Sequence, residues 1–170
     1  MFFYTQCAYE GCTRKAVTDN DRCFNHLENK KEYRDRCIEQ LKRESHFGPL
    51  VLPQMEFSSL DLRNREFHGC TFSHTVFSDV DFSESVFRLC FFDFSAFLNC
   101  KFESTDMKYS VFAGSSINAC SFAGSDILHC NFNGIDATNS SFNDSDLYFS
   151  SFISSRMKNT SLVDCNLKKV

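Results

Sequence analysis

The chain has 170 residues, 42% of them hydrophobic and 24% charged. This composition fits one soluble folded domain, with or without a small appendage, and excludes a wholly disordered chain. A net charge of −4 argues against a non-specific nucleic-acid binder. The lack of an apolar run of about 18 residues argues against a membrane-spanning helix, and Met1 to Gln6 lack the features of a secretory signal.

Residues 1–27 contain a set of residues with metal-ligand spacing, Cys7-x4-Cys12-x10-Cys23-x2-His26. Three thiolates and one imidazole are the ligand set of a closed structural zinc site, and Gly11 before Cys12 suits a tight turn. So short a segment has no hydrophobic core of its own, so Zn²⁺ would supply its folding energy. The string is similar to small zinc-binding knuckles of bacteria and plants with the pattern C-x3-G-C…C-x2-H. The alternative is a pair of disulfides or unrelated cysteines, which a cytosolic location disfavours.

Residues 28–45 are predicted to form a helix. Glu32 with Arg36 and Glu39 with Arg43 are favourable pairs four residues apart, and Gly48-Pro49 would end the helix. Its apolar stripe consists of Tyr33, Cys37, Ile38 and Leu41. Cys37 lies outside the metal spacing and His46 is a distant reserve ligand. We expect residues 28–50 to cap the segment that follows, together with Phe47, Leu50, Val51 and Leu52, although the stripe could also bind a partner.

From Phe57 onward an apolar residue recurs at every fifth position over 23 units, and 14 of them are Phe. A period of five fits neither an amphipathic helix nor a flat strand. It requires a coil in which each unit forms one side and turns a corner, with this residue and the one two positions earlier pointing inward. The series is Phe57, Leu62, Phe67, Phe72, Phe77, Phe82, Phe87, Phe92, Phe97, Phe102, Met107, Phe112, Ile117, Phe122, Ile127, Phe132, Ala137, Phe142, Leu147, Phe152, Met157, Leu162 and Leu167.

This repeat resembles that of the pentapeptide-repeat family, whose A(D/N)LXX unit is visible in Thr105-Asp106-Met107 and Ser125-Asp126-Ile127. The resemblance implies an all-β fold, a right-handed quadrilateral β-helix of about six coils. The expected organisation is a zinc-knuckle-like segment (1–27), a helix and linker capping the first coil (28–50), and the β-helix (51–170). At a strand spacing of ~4.8 Å the rod would be roughly 28 Å long.

Six cysteines fall within the repeat, and all of them occupy the second inward column, two residues before the Phe column: Cys70, Cys90, Cys100, Cys120, Cys130 and Cys165. This pattern predicts small buried thiols packed against the Phe stack. Buried thiols are poor nucleophiles. So many free cysteines favour a reducing, cytoplasmic location.

The sequence shows no catalytic motif, and we predict a non-enzymatic protein. The outward positions differ between sides of the rod. Those near the edge between the Phe67 and Phe72 sides are apolar, which predicts a partner-binding edge. The residues of this aromatic edge are Leu89, Phe91, Phe94, Tyr109, Val111, Leu128, Tyr148, Phe149 and Ile153.

Two functions compete on this evidence. The first is an interaction scaffold that binds another protein or a second copy of itself in a homodimer, without contacting a membrane. The alternative is a DNA-mimicking regulator or protector of a type II topoisomerase (gyrase), as implied by some members of the resembling family. Residues 51–170 hold 14 acidic and 9 basic residues, only mildly acidic for a duplex mimic. The balanced charge of residues 1–50 argues against direct nucleic-acid binding.

The sequence ends at Val170 without a segment that would cap the last coil. We therefore expect either that a partner caps this coil or that the chain is shortened.

Overall fold

The computed structural model describes residues 5–170. A single 3₁₀ turn, Phe24–His26, precedes helix α1, Lys30–Arg43, and eleven short strands follow. The strands are β1 His46–Phe47, β2 Glu56–Ser58, β3 Glu66–His68, β4 Val76–Ser78, β5 Val86–Arg88, β6 Ala96–Leu98, β7 Asp106–Lys108, β8 Ser116–Asn118, β9 Asp126–Leu128, β10 Asp136–Thr138 and β11 Arg156–Lys158.

The strands form two parallel sheets on opposite sides of a four-sided coil. One sheet has the order β1-β3-β5-β7-β9 and the other β11-β10-β8-β6-β4-β2. The remaining two sides are joined by single bridges between residues 20 positions apart, such as Phe91 with Val111. The predicted quadrilateral β-helix of about six coils is therefore confirmed. We name each side after its first inward residue of the predicted series: the Phe57, Leu62, Phe67 and Phe72 faces.

Corners between the faces are made by a residue with positive φ at every fifth position from Gln54 to Lys169. This left-handed conformation turns the chain sharply, so four corners close one coil of 20 residues. Most of these corner residues are not glycine, although the conformation costs an ordinary residue about 1 kcal/mol or more. Inter-coil hydrogen bonds and the packed core therefore hold the corners in place.

The core is a set of Phe ladders along the rod axis. On the Phe72 face the rings of Phe72, Phe92, Phe112, Phe132 and Phe152 stack at centroid distances of 5.2, 4.8, 4.8 and 4.9 Å. Rings of opposite faces meet edge to face across the core, as Phe112 and Phe122 do at 6.2 Å, and so do rings of adjacent faces such as Phe72 and Phe77 at 5.9 Å. Both arrangements are favourable for aromatic pairs, so stacking and burial act together in every coil.

The second inward column satisfies buried backbone groups between coils. Ser115 shows the pattern: its hydroxyl donates to the carbonyl of Phe92 (2.7 Å) and accepts from the backbone N–H of Ser95 (3.1 Å). The cysteines take the same place, and the Cys90 thiol donates to the carbonyl of Phe67 (3.3 Å). Buried polar backbone groups without partners are costly, which explains why this column is Ser, Thr or Cys in most units.

Helix α1 is shorter than the predicted 28–45. The Asn29 side chain accepts a hydrogen bond from the Glu32 backbone N–H, and the helix ends at Arg43, before Gly48-Pro49. The predicted Glu32–Arg36 and Glu39–Arg43 pairs are not among the ion pairs of the described residues. Glu39 instead contacts Lys42 at 3.2 Å. No helix of the described chain has both the length and the apolar character needed to cross a lipid bilayer.

The helix packs on the first coil through Tyr33, Cys37 and Leu41, which are buried in the same apolar cluster as the rod core. Phe47 and Leu52 were expected to cover the coil, but they continue its inward columns: Phe47 pairs in register with Phe67 and stacks on it at 4.9 Å. The cluster is continuous from the knuckle side to the rod, so the division into three segments stays a prediction.

Candidate metal centre and interaction surface

The four predicted metal ligands lie together near the N-terminus. One ligand atom from each of Cys7, Cys12, Cys23 and His26 falls within 4.8 Å of all the others. The Nδ1 atom of His26 is 3.4 Å from the Cys7 sulfur and 3.5 Å from the Cys23 sulfur. The Cys12 and Cys23 sulfurs are 3.9 Å apart, and all cysteines of the chain are free thiols rather than disulfides.

Local backbone structure brings these ligands together. Gln6 and Lys15 form an antiparallel bridge, and the Cys12 N–H donates to the Tyr9 carbonyl (3.0 Å) to close the intervening turn. Gly11 lies in that turn with φ +74°, a conformation that glycine adopts without strain. Each pair of ligands, Cys7 with Cys12 and Cys23 with His26, therefore encloses a tight turn. This is why the short spacing within each pair predicts the ligand set.

Three of the six separations between ligand atoms, at 3.4, 3.5 and 3.9 Å, match those around a tetrahedral zinc ion. Zn–S bonds of about 2.3 Å and Zn–N bonds of about 2.0 Å place two sulfurs about 3.8 Å apart and a sulfur and a nitrogen about 3.5 Å apart. The Cys23 backbone N–H donates to the Cys7 sulfur at 3.2 Å. Burial raises the pKa of Cys7, but the N–H of Cys23 and the His26 ring outweigh it and lower the pKa to about 6. This favours the thiolate that a metal requires.

An aromatic neighbour of this site was not anticipated from the sequence. The ring of Tyr9 stacks on the ring of His26 at 4.0 Å with an interplanar angle of 25°. Such a contact restrains the plane of the imidazole, whose Nδ1 atom is the one close to the Cys7 and Cys23 sulfurs. Tyr9 lies midway between Cys7 and Cys12, but its spacing alone carries no signal.

The repeat cysteines lie where they were predicted. Five of them are buried and Cys165, in the last coil, is half-buried. Burial raises the pKa of Cys130 to about 12, and burial is also the largest cause of the raised pKa of Cys90. The Cys90 and Cys130 thiols are therefore protonated at neutral pH, and the five buried repeat cysteines belong to the core.

The nine residues of the aromatic edge divide between two faces and two corners. Leu89, Tyr109 and Phe149 occupy successive corners, with His129 stacked between Tyr109 and Phe149 at 5.1 and 5.2 Å. Leu128 and Tyr148 lie on the Phe67 face and are half-buried. Phe91, Val111 and Ile153 lie on the Phe72 face, and Phe94 lies at its far border, at the corner shared with the Phe57 face. Because the corner residues remain exposed, helix α1 does not cover this edge.

Charge is distributed unevenly over the faces. On the Phe72 face Asp93 is the only Asp, Glu, Lys or Arg at an outward position of the described coils. On the Phe67 face Asp106 is paired with Arg88 and lies 3.5 Å from Lys108. The charged residues of the Leu62 face are Asp61, Arg63, Asp81, Glu84, Lys101, Glu103, Asp144 and Asp164.

The family pattern of pentapeptide repeats matches residues 56–93, 66–102 and 130–168, in eight copies. The chain belongs to the pentapeptide-repeat family. No curated protein matches it in sequence.

Several solved structures share the coil at low identity. The pentapeptide-repeat protein Rfr23 from the cyanobacterium Cyanothece 51142 is 9% identical, with 77% of this chain and 97% of that chain covered and a TM-score of 0.44. A trypsin-treated form of QnrB1, a plasmid-mediated fluoroquinolone resistance protein, is 15% identical, with 75% of this chain and 86% of that chain covered and a TM-score of 0.41. HetL from Nostoc sp. strain PCC 7120, involved in heterocyst differentiation regulation, is 13% identical, with 84% of this chain and 95% of that chain covered and a TM-score of 0.31. Likenesses this distant carry no inference about function.

Proposed function

We propose that this chain is a non-enzymatic protein-interaction scaffold that works in the cytoplasm. The observation that carries the proposal is the outer surface of the Phe72 face with its Leu89–Phe149 corner, where exposed apolar side chains coincide with a near absence of charge. Contiguous apolar surface on a folded protein is typical of a binding site. The rod gives this surface a rigid backbone, so a partner would meet a preformed site.

A pair of matched variants tests this proposal. Leu89 and Leu98 are exposed to the same extent, 44% and 43%, but Leu98 lies on the Phe57 face. Each residue is changed to Asp in the tagged full chain, and proteins captured from the native cell are quantified. We expect Leu89→Asp to lose a protein that both the wild type and Leu98→Asp retain. Equal capture by the two variants would contradict a binding role for the edge.

We further propose that Cys7, Cys12, Cys23 and His26 hold one structural Zn²⁺. The ligand types and the separations of their atoms support this assignment, and four protein ligands leave no open position for chemistry. Zinc content is measured after native purification, with Cys37→Ser as the control because Cys37 is a buried cysteine outside the cluster. About one zinc per chain is expected in the wild type and in the control, and much less in Cys23→Ser. Equal zinc contents in the two variants would refute the assignment.

Regulation of gyrase by DNA mimicry is the second candidate. Asp126 and Asp146 lie next to each other along the rod on the Phe67 face. Acidic side chains aligned in this way support DNA mimicry. The neighbouring Asp106 is neutralised by Arg88 and Lys108, which breaks the acidic column and places this function second. A gyrase supercoiling assay separates the two: the scaffold proposal predicts no change on adding the protein, whereas the DNA-mimic function predicts inhibition, or protection against a quinolone.

A further inference from the structure

The outer surface of the Phe72 face is a grid of three rows running along the rod. Successive residues of a row lie 20 positions apart in sequence and one coil, ~4.8 Å, apart in space. The first row is Thr71, Phe91, Val111, Asn131 and Ser151; the second is Ser73, Asp93, Ala113, Asn133 and Ile153; the third, at the corner, is His74, Phe94, Gly114, Gly134 and Ser154. Val111, Ala113 and Gly114 occupy the middle coil.

Two side chains protrude from this grid more than any other large apolar side chain of the described residues. Ile153 is 70% exposed and Phe94 is 61% exposed. Each has a small residue of its own row at the mirrored height, on the other side of the middle coil. In the third row, Phe94 lies one coil before Gly114 and Gly134 lies one coil after Gly114. In the second row, Ser73 lies two coils before Ala113 and Ile153 lies two coils after Ala113.

We propose that two copies of this chain pair through their Phe72 faces, with the rods antiparallel about a two-fold axis that crosses the coil of Val111. This inference rests on the proposed scaffold function and names the partner. This axis lies in the plane of the interface and is perpendicular to the rod. Each row of one copy therefore lies against the same row of the other copy, with the coils running in the opposite direction. Phe94 of one copy then meets Gly134 of the other, and Ile153 meets Ser73. A two-fold interface requires such self-complementarity.

The notch at Gly134 is open to receive a side chain. A Cβ atom placed there would have only the backbone nitrogen of Gly114 within 4 Å, at 3.9 Å. The notch at Gly114 is already filled, because a Cβ atom there would lie 2.7 Å from the Phe94 ring of the same chain. The ring therefore leans over its own neighbour and leaves the next notch free for the second copy.

The one charged residue of the face also has a suitable counterpart. Asp93 accepts a hydrogen bond from the Ser73 hydroxyl (2.6 Å) and would face Asn133 of the second copy. Asn133 accepts from the Ser151 hydroxyl (2.7 Å) and the Ile153 N–H (2.8 Å) through Oδ1 alone. Its Nδ2 makes no hydrogen bond within the described residues, so it can donate to an acceptor on the second copy, and a carboxylate is a strong one.

Other arrangements of the same faces are less complementary. Parallel rods would place Phe91 against Asp93 of the second copy. Shifting the antiparallel axis by half a coil in one direction places Ile153 against Asp93. The same shift in the other direction places Phe94 against the filled notch at Gly114. The axis through the coil of Val111 avoids each of these conflicts.

Cross-linking of two matched alanines tests the arrangement. Ala113 and Ala123 occupy the same position of their units and are both half-buried, but Ala123 lies on the Leu62 face. Ala113 of one chain would face Ala113 of the second chain across the two-fold axis. Each is changed to Cys in the zinc-loaded full chain, and a short bis-maleimide is added, with the wild type as the baseline for the native thiols. We expect at least tenfold more cross-linked dimer for Ala113→Cys than for Ala123→Cys.

A mixture of two differently tagged chains, Ser73→Cys and Ile153→Cys, tests the register. Antiparallel pairing predicts a cross-link between the two chains. A dimer by mass without the Ala113→Cys cross-link overturns this arrangement but leaves self-association standing. A monomer that still captures a protein through Leu89 overturns the arrangement and leaves the scaffold function standing. A monomer that captures nothing through this edge overturns both.

Discussion

Replacing Phe112 by Ala tests the stacked core at its most enclosed point. The Phe112 side chain is fully buried and its ring stacks between Phe92 and Phe132 at 4.8 Å on each side. Removing a ring that buries about 150 Å² loses about 3–4 kcal/mol at about 25 cal/mol per Å². A partly collapsed cavity adds to this, so we expect a loss of about 3–5 kcal/mol in the free energy of unfolding.

The assay is urea denaturation of zinc-loaded protein followed by far-UV circular dichroism. Phe152→Ala is the matched control, because Phe152 is half-buried and stacks on one ring only, that of Phe132. Its loss should be clearly smaller. If Phe112→Ala is destabilised no more than Phe152→Ala, or by less than about 1 kcal/mol, the interlocked Phe ladder does not stabilise the fold as argued.

Three further predictions concern other parts of the chain. Chelating the metal should abolish hydrogen-exchange protection in residues 5–27 while residues 56–150 keep theirs, because only the first segment lacks a core of its own; protection unchanged in both would contradict this. Ser115→Ala should lower the free energy of unfolding by about 1–3 kcal/mol, since it leaves the buried Ser95 N–H without its acceptor; a neutral result in urea denaturation would refute the role of the hydroxyl column. The side chain and backbone N–H of Arg63 lower the pKa of Asp61 from 3.8 to about 2, so this pair stabilises the fold above about pH 4 and the contribution is lost as the pH falls toward 2. NMR titration should give Asp61 a pKa well below its ordinary 3.8 in the wild type and close to 3.8 in Arg63→Ala.

The fold could be predicted from the sequence because one rule is repeated without a gap. An apolar residue at every fifth position permits a single inward register, and shifting it by one residue would expose every Phe. The metal ligands were predictable for a similar reason: their spacing within each pair is fixed by a local turn. Both signals depend on short spacings along the chain, which a single sequence shows directly.

Contacts between distant positions were not predictable. Phe47 and Leu52 continue the inward columns, but residues 48–51 include Gly48-Pro49 and obscure the repeat there. The helix ends at Arg43 because the chain must enter strand β1 at His46, a tertiary requirement. The pairing of Phe94 with its own Gly114 notch, which leaves Gly134 open, appears only when residues 20 apart are stacked in space.

The mass of the zinc-loaded full chain in solution tests the central claim most directly. One chain is 19.6 kDa, and sedimentation equilibrium is measured for the wild type and for a Phe94→Ser/Ile153→Ser variant, which removes both protruding side chains from the Phe72 face without touching the core. The pairing of two chains through their Phe72 faces predicts twice that mass for the wild type and a folded single chain for the variant. A wild type that stays at 19.6 kDa, or a variant that remains dimeric, would contradict it.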